Sequence, residues 1–169
     1  MQNKILISKL RDNAELAQAV YGYFDLVGKS IKKDNKIVKE AITPTDILDL
    51  TYNKYIAVES NPHKPDDEIK VGKLDGDMTP TQVKRFLNKY DILIHQPNTE
   101  SGFSATLFQN KESKEYTLAI RGTEPSNIGD IKTDINLVAG IIPKKQHLDM
   151  LLFYNQCNRK YSFLCRKRF

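Results

Sequence analysis

From Met1 to Gln156 the sequence has no cysteine; its only thiols, Cys157 and Cys165, lie close to the end. A body without thiols has no disulfide framework, and two cysteines at this spacing match no zinc-ligand pattern. Long apolar runs are also missing. No stretch approaches the ~20 consecutive apolar residues of a membrane-crossing helix. The start, MQNKILISKL, has a short apolar run but no extended hydrophobic segment and no small-residue cleavage site. It therefore reads as lacking a signal peptide, and a cytoplasmic location is the expectation. Internal repeats and low-complexity tracts are absent as well.

The body also lacks any excess of charge. The chain as a whole is +5, but Leu151–Phe169 holds five cations (Arg159, Lys160, Arg166, Lys167, Arg168) and no acid. The remaining 21 cations balance the 21 acids of residues 1–150. The sequence pI of about 9.1 is thus a property of the tail. A neutral body without a recognised motif argues against a nucleic-acid partner. The segment RKYSFLCRKRF mixes its cations with Tyr161, Phe163 and Phe169. It reads either as a disordered, out-of-frame tail or as a weak contact for an anionic membrane surface, at roughly 1 kcal/mol per cation.

What is present is a globular composition: 169 residues, 40% hydrophobic and 28% charged, enough for one domain with its own core. DNAELAQAVYGYFDL (12–26) reads as a helix followed by an aromatic cluster near Gly22. KSIKKDNKIVKEA (29–41) reads as a solvated helix or loop. Thr43 and Pro44 open a second helical segment running toward Tyr55. Residues 56–78 are the least regular, and NPHKPDDE within them reads as an exposed loop. Thr79 as cap and Pro80 in the first turn start another helix, with Val83, Phe86 and Leu87 inward. DILIH (91–95) is a short strand or extended segment. SATLFQN (104–110) and EYTLAI (115–120), joined by KESK, read as a β-hairpin. DIKTDINLVAG (130–140) has a helical pattern that Pro143 ends, and QHLDMLLFYNQ (146–156) begins a further helix.

The hairpin runs into Arg121-Gly122-Thr123. A strand that ends in Gly-Thr can present a backbone N–H and a hydroxyl at the carboxyl edge of a sheet. Donors aimed at one point stabilise the oxyanion of acyl transfer, and loss of one costs roughly two to three orders of magnitude in rate. The plainer alternative is that Gly122 permits a tight turn and Thr123 caps the next segment.

The stretch TLAIRGTEPSNIGDIKTDINLVAG resembles the start of the class 3 (fungal-type) lipase domain, an α/β-hydrolase. In that family an apolar strand ends in Phe-Arg-Gly-Thr/Ser and an Asp-rich helix start comes after it. Here Ile120 stands in the Phe position, followed by Arg121, Gly122 and Thr123. Asp130 and Asp134 match the acids of the family's Asp-Trp-x-x-Asp stretch, with Ile131 in place of the Trp. GFSATLFQNKESKEY resembles the family's entry hairpin. The resemblance spans about residues 80–156, is weaker over the N-terminal helices and is absent after about residue 157. It implies that Thr123, with Gly122, forms an oxyanion hole, and that Arg121 braces the loop against Asp134. The other reading of Asp130 and Asp134 is that acids suit the first turn of a helix.

The family's nucleophile is the Ser of a Gly-x-Ser-x-Gly elbow, followed in the chain by its Asp and His. No such elbow occurs here. Ser101 lies upstream of the hairpin, and Ser162 lacks both glycines. His63 sits in the NPHKP loop, His95 precedes Pro97 and His147 stands at a helix start; none comes after an elbow. No catalytic residue, metal or cofactor is therefore assigned. The expectation is an α/β chain: a helical and loop region over 1–78, the leading part of a lipase-like domain with a mixed sheet and flanking helices over 79–156, and a basic tail over 157–169. Lipids or acyl esters would be the substrates of complete relatives. The change of composition near residue 157 suggests a lipase-like reading frame truncated or shifted before the elbow, leaving this chain inactive alone.

Overall fold

A computed structural model describes residues 2–34, 36–39, 41–122 and 144–161. The chain divides into two compact units, Met1–Lys89 and Tyr90–Phe169. Together they make a mixed α/β protein. Among the described residues there are two antiparallel sheets and four α-helices, none long and apolar enough to cross a membrane.

The first unit opens with α1 (Gln2–Ala19), which starts well before the expected position and ends before Gly22. A 3₁₀ turn, Phe24–Leu26, then leads to β1 (Ser30–Lys33) and β2 (Lys36–Lys39). The expected solvated helix or loop over 29–41 is thus a hairpin. Asp34 turns it at φ 48°, a left-handed conformation that Asp tolerates. Ile31 of β1 is fully buried, whereas Ile37 and Val38 of β2 are exposed. The lysines of β2 lie on an edge strand, where they discourage pairing with another chain.

A capping box then starts α2 (Pro44–Leu48). The Thr43 hydroxyl accepts from the Asp46 amide, and the Asp46 carboxylate accepts from the Thr43 amide at 2.8 Å and hydroxyl at 2.7 Å. A short 3₁₀ turn, Leu50–Tyr52, comes next in place of a longer helix. Residues 56–78 also depart from expectation: β3 (Ile56–Asn61) and β4 (Lys64–Lys73) form a second hairpin. Pro62 and His63 of the NPHKP segment form its turn, where the Asn61 side-chain oxygen accepts the His63 amide at 2.9 Å. A bulge between Ala57 and Val58 interrupts the alternation, and both residues are buried. The sheet order is β2-β1-β3-β4.

Beyond β4, Met78 exchanges backbone hydrogen bonds with Leu48 and Leu50. The chain passes so close that a Cβ on Gly76 would stand 2.4 Å from the Leu48 carbonyl carbon. Helix α3 (Pro80–Lys89) is capped by Thr79 and buries Val83 and Phe86 as expected. The unit boundary lies after this helix, whereas the sequence placed a division before it. Ion pairs from Arg85 to Glu15 and from Lys89 to Asp12 tie α3 to α1.

The second unit contains β5 (Tyr90–Gln96), β6 (Ala105–Asn110) and β7 (Tyr116–Ile120), in that spatial order and all antiparallel. The hairpin over 104–120 stands where the sequence placed it. The central strand is covered on both faces: Ala105, Thr106, Leu107 and Phe108 are all fully buried. Helix α4 (Lys144–Tyr161) lays Phe153 and Cys157 onto Phe103, Ala105 and Leu107. The mixed sheet expected here is, among the described residues, an antiparallel one.

Residues 157–161 are not a tail. Cys157 is part of the core and Tyr161 packs against it. A bulge in β5 between Ile92 and Ile94 explains how. The extra residue brings the adjacent Leu93 and Ile94 to the same cluster and takes Leu93 off the ladder. The Tyr161 hydroxyl donates to the Leu93 carbonyl at 3.2 Å, which ties the end of α4 to the bulged residue.

Candidate functional site at the Arg121-Gly122 corner

The last rung of the β6–β7 ladder pairs Ala105 with Ile120. One residue further, the Arg121 amide donates to the Ser104 carbonyl at 2.9 Å. The Ser104 hydroxyl donates in the opposite direction, to the Gln96 carbonyl at 2.8 Å. Ser104 therefore holds the ends of both neighbouring strands, one through its backbone and one through its side chain. It is fully buried, so this polar bridge is dry and rigid. Beside it, His95 Nδ1 lies 2.8 Å from the hydroxyl of the fully buried Thr106.

The loop that delivers Ser104 is itself fixed. The Thr99 amide donates to the Phe103 carbonyl at 2.9 Å, and the Phe103 amide returns a bond to the Thr99 hydroxyl at 3.2 Å. Gly102 takes φ +84°, a conformation that a side chain would strain. The Ser101 hydroxyl donates to the Asp149 carboxylate of α4 at 2.6 Å. Strand ends, loop and helix are thereby joined around the corner.

Arg121 is only 6% exposed, while the adjacent Gly122 is exposed. A buried guanidinium thus stands beside an accessible glycine backbone. Such a corner can offer a backbone donor to an anion, without itself moving protons. Of the other residues assigned to the site, Thr123, Asp130 and Asp134 lie outside the described residues.

The remaining candidate groups are placed apart from this corner. His63 is exposed at the β3–β4 turn, and His147 is exposed in the first turn of α4. His95 is the histidine on the same sheet, one position before Gln96, and it faces Thr106. Cys157 is inside the core, where burial pushes its thiol pKa up. The thiolate is the reactive form, and burial disfavours it here. No group of three or more His, Cys, Asp or Glu side chains suited to a metal occurs among the described residues.

Sequence reasoning missed Ser104, Thr106 and the Ser101–Asp149 tie. Ser104 and Thr106 bracket Ala105 in SATLF, where small polar residues look like solvent-facing strand positions. Their burial arises because β6 is central and covered on both faces. Only the neighbouring apolar pair Leu107-Phe108 hinted at this.

Compared with protein families, curated proteins and solved structures, the chain matches none.

Proposed function

We propose that the chain carries the oxyanion-side segment of a class 3 lipase-like serine ester hydrolase. The observation supporting this reading is the Arg121-Gly122 corner, held at the end of β7 by the buried Ser104 bridge. The order of elements agrees with it: an entry hairpin, a corner, and a helix where the family has one before its nucleophile strand. The finer fold belongs to the same proposal, with β5–β7 forming the leading edge of an α/β-hydrolase sheet.

In this reading Thr123 and Gly122 supply donors to the tetrahedral oxyanion of an acyl ester. Arg121 braces the corner with Asp134 as its acid, and Asp130 is the other acid of the family's pair. In complete relatives a Ser attacks the ester carbonyl, a His takes its proton and an Asp orients the His. This sequence has no Gly-x-Ser-x-Gly, and His63, His95 and His147 are scattered over separate elements. The chain by itself turns over no ester.

The test combines two measurements. Purified chain is incubated with a p-nitrophenyl ester, with and without a fluorophosphonate. No inhibitor-sensitive hydrolysis is expected, and turnover blocked by the fluorophosphonate overturns the inactivity. The DNA beyond the last codon is then read in all frames. A Gly-x-Ser-x-Gly elbow within the next strand and turn supports the family reading, and its absence from every frame removes it.

A further inference from the structure

We infer that the outer face of α4 is a docking surface for an anionic lipid bilayer. The helix is amphipathic in a specific way. Its inner side lays Phe153 and Cys157 on the sheet core, with Met150 and Tyr161 beside them. Its outer side exposes Leu148, Leu151 and Leu152, which are 55%, 42% and 59% exposed. These leucines recur at helical spacing and form one apolar stripe.

Cations frame that stripe at both ends. Lys144 and Lys145 precede it and Arg159 and Lys160 come after it, all exposed. The only acid in the helix is Asp149, and its carboxylate accepts the Ser101 hydroxyl. The outer face therefore presents leucines and positive charge, with no exposed acid. A hollow of about 420 Å³ on this face is lined by Leu152, Asn155, Gln156, Arg159 and Lys160. Amide and cationic groups beside a leucine suit an anionic headgroup whose acyl chains lie against the stripe.

The charge pattern selects the partner. A nucleic-acid backbone would use the cations but gain nothing from three exposed leucines. An acidic bilayer uses both, because such helices lie in the headgroup region with leucines down and Lys/Arg stems reaching the phosphates. The contact thus belongs to a folded helix rather than to a basic tail. It does not depend on the hydrolase reading: binding is measured without turnover, and either proposal can fail alone.

The test is co-sedimentation of the full chain with vesicles of phosphatidylcholine plus phosphatidylserine, against phosphatidylcholine alone. Binding to the anionic vesicles only is expected. Each cation near the surface strengthens binding about fivefold, so Arg159→Gln with Lys160→Gln weakens it by about 30-fold. Leu148→Ser with Leu152→Ser weakens it by at least about tenfold through lost apolar burial. Both pairs are exposed, and unchanged circular dichroism verifies that the fold is intact. A full-length variant with Arg166→Gln, Lys167→Gln and Arg168→Gln separates the end of the chain from the helix. Binding lost in that variant but unchanged in the leucine variant overturns the inference. So does equal binding to neutral vesicles, or a dimer seen by light scattering that the leucine substitutions dissolve while no vesicle binding occurs.

Discussion

Phe153→Ala is the sharpest probe of how α4 is attached. Phe153 is 2% exposed and meets Phe103, itself 2% exposed, with ring centroids 6.1 Å apart at 61°. Removing a buried Phe costs about 3–5 kcal/mol, part transfer and part cavity. The edge-on ring contact falls within that loss. A unit of this size has roughly 4–12 kcal/mol of stability in total, so the substitution removes a large share. Cys157, one turn along and 0% exposed, reports the result. In a Cys165→Ser background it is the only thiol, and a thiol reagent reaches it only when the helix opens. A drop of about 3 kcal/mol in opening free energy speeds labelling by at least a hundredfold.

The control lies on the same helix. Leu152 is 59% exposed, and a surface substitution there changes stability by about 0.5 kcal/mol or less. Leu152→Ala therefore changes the labelling rate by no more than about twofold. Equal labelling rates in the two variants would refute the assignment of inner and outer faces. So would a Cys157 that reacts in the unmodified chain as fast as a free thiol.

The polar ties give two more expected outcomes. Burial alone would raise the Asp46 carboxyl, but hydrogen bonds from Lys39 and from the Thr43 hydroxyl and amide outweigh it and hold the pKa below the usual carboxylate value. The folded pKa lies below the unfolded one, so this stabilisation is present above about pH 4 and is lost as pH falls through the folded value. Asp46→Asn should lower stability at neutral pH by about 1–2 kcal/mol and flatten the acid limb of a urea-denaturation series; an unchanged acid limb counts against the capping role. Ser101→Ala removes the donor to Asp149 and should cost about 1.5–3 kcal/mol. Faster hydrogen exchange at the Gly102 and Phe103 amides is the expected sign, and unchanged exchange there would show that the loop does not depend on α4.

What the sequence disclosed depended on how locally each element was encoded. Helix α3 carries its own cap and an inward pair, and the β6–β7 hairpin has two apolar runs around a polar turn; both were legible. The two hairpins of the first unit were not. In β2 the alternation is buried under lysines suited to an edge strand, and in β3 a bulge puts Ala57 and Val58 inside together, breaking the period of two. The end of α4 was misread for a different reason. Composition changes near residue 157, but composition does not show that the Cys157 side chain faces a sheet or that Tyr161 answers a bulge in β5. Those facts depend on partners far away in the chain.

The same distinction bears on the corner. Three residues, Arg121-Gly122-Thr123, fitted a simple reversal as well as a binding device. A reversal needs the glycine; it does not need a guanidinium held at 6% exposure. Taking such a charge out of water costs several kcal/mol before any compensating interaction. Nor does a reversal need a fully buried serine that ties both adjoining strand ends with one hydroxyl and one carbonyl. These two features rigidify the backbone leading into Gly122, which itself stays accessible. Preorganised donors matter in acyl transfer because they do not have to reorient as charge develops. The backbone entering Gly122 is held by the Ser104 bonds, which is what the proposed oxyanion role asks of it. In the proposed reading, what this sequence lacks is the Gly-x-Ser-x-Gly elbow rather than a preorganised corner.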